Sequence, residues 1–111
     1  MEALQTIPEV QPAQLQSRLE AGEQLVVIDV REPEEFAQGK IPGAYTIPRG
    51  VLEGQVDGRL PRESTVVLYC AGGARSALAC RSLAEMGFTK VENLQGGFSN
   101  WLNSGLPVEG S

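Results

Sequence analysis

The architecture of this chain follows from residues 66–76, which read Val-Val-Leu-Tyr-Cys-Ala-Gly-Gly-Ala-Arg-Ser. Four apolar residues predict a buried strand that ends at Cys70. Apolar residues then recur at helical spacing up to Met86, which predicts a helix after a tight glycine loop. In an open parallel sheet, ligands bind beyond the carboxyl ends of the strands, so Cys70 stands where chemistry is expected.

The loop after Cys70 predicts an anion-binding cradle. Gly72 and Gly73 accept backbone angles closed to other residues, so several N–H groups can turn inward where the helix begins. Such a cradle would lower the pKa of the Cys70 thiol and hold it as a thiolate at neutral pH. A cation in the first turn of a helix is disfavoured unless it meets an anion, and Arg75 is therefore interpreted as a substrate clamp. Ser76 is expected to cap the helix or to donate its hydroxyl to the bound group.

Length and composition limit the domain count, the partners and the kinds of catalytic site that this chain can have. The 111 residues predict a single domain, 1–111, with an ordered core over about residues 6–107. The net charge is −5 and the basic residues are scattered, which argues against nucleic acid and membrane surfaces as partners. No basic segment followed by an apolar one opens the chain, so a cytoplasmic location is expected. The absence of histidine excludes a Cys-His pair and an ordinary zinc site, and neither a metal nor a cofactor is expected.

Strand and helix patterns alternate along the chain. Strands are predicted at 6–10, 25–30, 45–47, 66–69 and 90–94, and helices at 12–21, 31–39, 48–61 in part, 74–86 and after Gly96-Gly97. This alternation predicts an α/β fold with a small, mostly parallel five-stranded sheet flanked by helices on both faces. Asp29 interrupts an apolar strand near its end, and its carboxylate needs a partner such as Arg31 or loop amides. The acidic run from Glu32 to Glu35 is expected to be a solvated helix start.

Three motifs stand in order along residues 6–107. The first motif is Asp-Val-Arg-Glu-Pro-Glu-Glu-Phe at residues 29–36, which continues to Gly-Lys-Ile-Pro-Gly-Ala at 39–44. The second motif is the loop from Cys70 to Ser76. The third motif is Gly-Gly-Phe-Ser-Asn-Trp at 96–101. Together they resemble the N-terminal signature, the active-site loop and the C-terminal signature of single-domain rhodaneses, a family of sulfurtransferase modules. Three motifs in the right order are far more specific than any one of them.

The resemblance implies a reaction and a set of roles. In the family, a loop cysteine takes the outer sulfur of thiosulfate or a similar donor, becomes a persulfide, and passes that sulfur to cyanide or another thiophile. Carried over to this chain, Cys70 is the nucleophile and Arg75 orients the anionic donor. The substrate-binding residues are then Ala71, Gly72, Gly73, Ala74, Arg75 and Ser76, whose backbone amides cradle the sulfur. Asp29 and Arg31 resemble a structural pair that supports the loop.

Two departures from the family pattern bear on the substrate. Lys40 stands where the family often has histidine, at a position that is usually structural. Ala71, Gly73 and Ala74 are uncharged, whereas members that handle thiosulfate well often carry extra basic loop residues. The expected partners are therefore a sulfur donor and a thiophilic acceptor, with a protein persulfide or a small thiol favoured over thiosulfate itself.

Two other functions remain open, besides the simpler interpretation of Cys70 as a small buried hydrophobe. A cysteine-dependent phosphatase or an arsenate reductase of related fold also combines a cysteine, an amide cradle and an arginine. Two observations count against these enzymes. Only four residues separate Cys70 from Arg75, fewer than in their phosphate-binding loops. No aspartate lies close to the loop in sequence to act as a general acid. A non-catalytic rhodanese-like binding module is the second alternative. Cys80 shares a helix stripe with Leu83 and is expected in the core.

Overall fold

The structure is a computed structural model, and it describes residues 7–110. Its strands are β1 (Glu9–Val10), β2 (Val26–Asp29), β3 (Tyr45–Thr46), β4 (Thr65–Tyr69) and β5 (Lys90–Leu94). Its helices are α1 (Pro12–Glu20), α2 (Pro33–Phe36), α3 (Leu52–Val56), α4 (Ala74–Glu85) and α5 (Gly97–Asn103), with a 3₁₀ turn at Arg49–Val51. The five strands form one sheet in the order β1-β5-β4-β2-β3, and every pairing between them is parallel. The predicted α/β class is confirmed, with a sheet that is wholly rather than mostly parallel.

Alternation along the central strand divides the core in two. Val66 and Leu68 of β4 belong to one cluster of buried side chains, together with residues of α3 and α4. Val67 and Tyr69 belong to the opposite cluster, together with residues of α1 and α5. Because successive side chains of a strand point to opposite faces, one apolar run supplies both cores. Helices therefore cover both faces of the sheet, as predicted.

The carboxyl ends of three strands meet beside the loop that follows β4. Asp29 of β2 is in register with Tyr69, and Asn93 of β5 is in register with Leu68. The amide of Val30 donates to the Tyr69 carbonyl at 2.9 Å, which keeps the chain after β2 against the end of β4. Asp29 and Asn93, which are far apart in sequence, therefore lie at the same edge of the sheet as Cys70.

Two predicted elements are shorter than expected by several residues, while other predicted bounds differ by one or two residues. The strand expected at 6–10 is short, Glu9–Val10, and Thr6 lies outside the described residues. The helix expected at 31–39 is a single turn, α2, which ends before Gly39. Gly39 has φ +140°, and a Cβ there would lie 2.9 Å from Cγ1 of Val108. Across residues 7–110, no helix has the length and apolarity needed to cross a membrane.

A short segment after α5 is tied to the loop before β3. Lys40 and Glu109 form an isolated antiparallel bridge, with backbone hydrogen bonds of 3.0 and 2.9 Å. The Lys40 ammonium also lies 3.0 Å from the Glu109 carboxylate. The indole N–H of Trp101, a fully buried core residue, donates to the Pro107 carbonyl at 2.7 Å. Lys40 therefore has a structural partner of its own.

Candidate active site

Cys70 lies directly after β4, and its sulfur accepts hydrogen bonds from the loop that follows. The Gly73 amide donates to Sγ at 3.1 Å and the Ser76 amide at 3.4 Å, while the Ser76 hydroxyl lies 3.4 Å away. Gly73 is the residue before α4 and has φ +104°, a left-handed conformation that favours glycine. The structure thus brings three N–H and O–H groups to one sulfur atom at the start of a helix.

These contacts decide the acidity of the thiol. Burial raises the pKa of Cys70, but the hydrogen bonds from the Ser76 hydroxyl and from the amides of Ser76, Gly73 and Gly72 outweigh it, so the pKa is lowered. Only 1% of the Cys70 surface is exposed, whereas Gly72 and Ala74 above it are exposed. A reagent therefore reaches the sulfur only if it is small or if the loop moves.

A buried amide side chain lies behind this loop. Asn93 of β5 is 2% exposed; its Oδ1 accepts from the Ser76 hydroxyl at 2.6 Å, and its Nδ2 donates to the Gly73 carbonyl at 3.2 Å. A hydroxyl has a single hydrogen, so Asn93 competes with the Cys70 sulfur for it. Asn93 was not predicted as a site residue. The signal for it is an amide side chain near the carboxyl end of a predicted strand, the end at which parallel sheets bind ligands.

The second glycine pair holds the loop from the opposite side. The amides of Phe98 and Ser99 donate to the carbonyls of Cys70 and Ala71 at 2.8 and 3.0 Å. Gly97 has φ +61°, and a Cβ there would lie 2.5 Å from the Cys70 carbonyl oxygen. Because C=O and N–H point in opposite directions across a peptide plane, anchoring these carbonyls on α5 turns the next amides away from α5. The Gly72 amide, one of those that lower the Cys70 pKa, is oriented in this way.

Arg75 lies in the first turn of α4, and a carboxylate already holds its guanidinium. Its two terminal nitrogens donate to the two oxygens of Glu35 in α2, each at 3.0 Å. These hydrogen bonds raise the pKa of Arg75, and the nearby Cys70 adds to that effect. In turn, Arg75 lowers the pKa of Glu35 to about 2. The expectation that residues 32–35 are simply solvated holds for Glu32 and Glu34, which are exposed, and is wrong for Glu35.

Asp29 and Arg31 form a buried ion pair below the loop. Arg31 Nε and Nη2 donate to Asp29 Oδ1 and Oδ2 at 2.9 and 2.8 Å, and Nη2 also donates to the Gly39 carbonyl at 2.7 Å. The guanidinium lies over the Phe98 ring, 4.3 Å from its centroid. Since the Phe98 amide holds the Cys70 carbonyl, the pair contacts the loop through α5.

The second cysteine is separate from this chemistry. Cys80 is fully buried among the side chains between the sheet and α4, as expected, and burial raises its pKa to about 12. It therefore stays protonated at neutral pH. Both cysteines are free. Among residues 7–110 there is no group of three or more histidine, cysteine, aspartate or glutamate side chains that could hold a metal ion.

Known proteins resemble this chain in sequence and in fold. The model of the rhodanese-like domain matches residues 11–104. This chain belongs to the rhodanese-like family. A sulfurtransferase of Allochromatium vinosum is 37% identical to this rhodanese-like chain over 102 residues, which make up 92% of this chain and 94% of the relative. The predicted family is confirmed.

Two solved structures resemble this rhodanese-like domain closely. A rhodanese-like domain from Anabaena superposes with a TM-score of 0.88 at 32% identity, covering 96% of this chain and 81% of that one. A protein of unknown function from Rhodopseudomonas palustris, described as a possible tyrosine phosphatase, superposes with a TM-score of 0.85 at 37% identity, covering 93% and 85%. Its description names the rival chemistry that a cysteine loop with an arginine also suggests.

Proposed function

We propose that this rhodanese-like chain transfers a sulfane sulfur through a persulfide on Cys70. The observation that carries the proposal is the set of donors on the Cys70 sulfur, the amides of Gly73 and Ser76 and the Ser76 hydroxyl, at 3.1 to 3.4 Å. These groups stabilise a thiolate in a chain that has no histidine. Membership of a sulfurtransferase family supports the same reaction class.

The reaction has two displacement steps. In the first, the Cys70 thiolate attacks the outer sulfur of thiosulfate or a related donor, an S–S bond forms, and the donor's own S–S bond breaks. Sulfite leaves with the electron pair of that bond. In the second, cyanide or a thiolate attacks the outer sulfur of the persulfide, and Cys70 leaves as the thiolate while thiocyanate or a new persulfide departs. Neither step moves a proton, so the reaction needs no general base.

The loop residues have distinct roles in this scheme. The backbone of Ala71, Gly72, Gly73 and Ala74 surrounds the sulfur, and its amides stabilise negative charge on the thiolate and on the persulfide. Arg75 orients an anionic donor, and it does so in competition with Glu35. Because only 1% of the Cys70 surface is exposed, the site favours a small donor or a persulfide presented on a narrow carrier group.

Asp29 and Arg31 act as supports in this scheme and take no part in the chemistry. Their buried ion pair holds Phe98, whose amide anchors the loop. We propose that the reaction takes place in the cytoplasm, where a reducing environment would keep the Cys70 thiol available. The physiological partners in this proposal are a sulfur donor and a thiophilic acceptor, either of which can be a protein persulfide or a thiol.

Intact mass spectrometry tests the proposal directly. After incubation with thiosulfate, the wild-type chain should gain the mass of one sulfur atom and lose it again when cyanide is added. Cys80→Ala is the matched control and should behave as the wild type, whereas Cys70→Ser should gain nothing. Sulfur uptake that persists in Cys70→Ser, or no uptake by the wild type from thiosulfate or from a small persulfide, would overturn the proposal.

The same preparation tests the phosphatase alternative, which the description of the Rhodopseudomonas palustris relative keeps open. A cysteine phosphatase would hydrolyse a generic aryl phosphate and would take up no sulfur. Loop length favours sulfur transfer, because a loop with only four residues between Cys70 and Arg75 suits one sulfur atom better than a tetrahedral oxyanion. We expect sulfur uptake without phosphate release.

A further inference from the structure

We propose that Glu35 is a specificity-determining residue of this site, and that it selects against doubly charged sulfur donors. The inference rests on the proposed sulfur transfer at Cys70. Arg75 is the sole charged side chain among residues 70–76. Both of its terminal nitrogens are bound to the Glu35 carboxylate. The one cation within the loop sequence, residues 70–76, is therefore neutralised by a residue from a different helix.

The competition between Glu35 and the donor is set by geometry. A guanidinium presents two parallel N–H groups to a planar carboxylate, and a thiosulfate oxygen pair would need the same two groups. The donor must therefore displace Glu35 or bind beside it. Beside it, the donor meets the negative charge of the Glu35 carboxylate at close range.

Charge on the donor decides how severe this competition is. A dianion such as thiosulfate is repelled by Glu35 more strongly than a monoanion of the same reactive group, because Coulomb repulsion scales with the donor's charge. The side chains of Arg75 and Glu35 are 41% and 32% exposed, so solvent screens the pair and the effect is moderate. The class of donor that suits this site carries its sulfane sulfur with at most one negative charge nearby, as a persulfide does.

The substitution Glu35→Gln removes the negative charge and preserves the hydrogen bond that caps α2. Glu35 Oε1 also accepts a hydrogen bond from the Glu32 amide at 2.9 Å, which closes the first turn of α2. The amide oxygen of glutamine can accept the same bond, so Glu35→Gln keeps the first turn of α2. The variant removes the negative charge and, with it, the second acceptor for Arg75. Glu34→Gln is the matched control, because it removes an equal charge from an exposed neighbour on the same helix.

The test compares two donors that share a reactive S–SO₂ group and differ in charge. These are thiosulfate, a dianion, and methanethiosulfonate, a monoanion, each with cyanide as the acceptor. In Glu35→Gln, kcat/KM for thiosulfate should rise about two- to fivefold, and that for methanethiosulfonate should rise less. The ratio of the two values reports on charge selection, and a loop that is merely loosened would change both donors alike. Glu34→Gln should leave the ratio near that of the wild type.

Three results would overturn the inference. A lower kcat/KM for thiosulfate in Glu35→Gln would mean that Glu35 holds Arg75 in its productive place. An unchanged ratio would mean that Glu35 does not select, and an equal effect of Glu34→Gln would mean that only net charge matters. Mass spectrometry separates these outcomes from failure of the proposed function: if neither donor loads Cys70 in the wild type, the sulfur transfer itself is wrong.

Discussion

At the scale of single residues, the Ser76 hydroxyl is the hydrogen-bond donor that lowers the pKa of Cys70 most. Its one hydrogen has three acceptors within reach: Asn93 Oδ1 at 2.6 Å, the Gly73 carbonyl at 3.3 Å and the Cys70 sulfur at 3.4 Å. When the sulfur carries a full negative charge, the hydroxyl gains a charged acceptor, which is a stronger partner than an amide oxygen. The Ser76 hydroxyl can therefore turn from Asn93 toward the Cys70 sulfur when that sulfur becomes a thiolate.

Ser76→Ala should raise the pKa of Cys70, because it removes the strongest of the hydrogen bonds that lower it. At neutral pH the thiolate fraction falls, and alkylation by iodoacetamide should slow. The measurement is the pH profile of the alkylation rate in a Cys80→Ala background. Ser82→Ala, elsewhere on the same helix, is the control. A profile that Ser76→Ala leaves unmoved would show that the backbone amides alone set the acidity.

Folding stability should rise with pH because of Cys70. Its folded pKa lies below the ordinary value of 9.0, so between these two values the unfolded chain holds a proton that the folded chain has released. The contribution is complete above 9.0 and is lost as the pH falls through the folded pKa. Urea unfolding of the wild type and of Cys70→Ala should differ by an amount that grows from neutral to alkaline pH. Cys80 is present in both, so its raised pKa cancels; a constant difference would contradict the prediction.

Asp29→Ala should lower the free energy of unfolding by about 3–5 kcal/mol, because it leaves the buried Arg31 charge without its partner. Asp29 is fully buried and Arg31 is 5% exposed. Asp57→Ala is the matched control, since Asp57 also pairs with an arginine at 2.8 Å but on the surface. That variant should lose about 1 kcal/mol or less. Equal losses in urea denaturation would mean that burial of the first pair is unimportant.

At the scale of elements, the contact between α5 and the Cys70 loop is the one that tolerates least change. Gly97→Ala places a Cβ 2.5 Å from the Cys70 carbonyl oxygen and imposes φ +61° on alanine. We expect a loss of about 2–4 kcal/mol of stability and slower alkylation of Cys70, since the loop must shift. Gly22→Ala is the control, because Gly22 has φ +77° with open space around it and should lose only about 1–2 kcal/mol. Normal thiol reactivity in Gly97→Ala would show that α5 does not shape the loop.

The elements were easier to predict from sequence than the contacts between them. The strand at Lys90–Leu94 has its predicted bounds, because glycines at 87 and 96–97 end the elements on either side of it. The tight loop at Cys70 was also predicted, since glycine chemistry is local. Glu35 and Asn93 were missed as site residues because their partners, Arg75 and Ser76, lie 40 and 17 positions away. Strand order in a parallel sheet is likewise non-local, and no short pattern encodes which strands become neighbours.

At the scale of the whole molecule, the net charge of −5 acts on every anionic donor. The value of kcat/KM for thiosulfate should rise between about 10 mM and 150 mM ionic strength, as the screening length falls from about 30 Å to 8 Å. Methanethiosulfonate should show a smaller rise, because it carries half the charge. A fall with added salt would mean that local attraction to Arg75 outweighs repulsion by the rest of the surface.

The dependence of the Cys70 loop on α5 also bears on how the site is assembled during synthesis. Phe98 and Ser99 anchor the carbonyls of Cys70 and Ala71, and both follow the loop in the sequence. A nascent polypeptide that has emerged from the ribosome only as far as α4 therefore lacks these two anchors. The loop reaches its folded geometry only after α5 has emerged and packed against it.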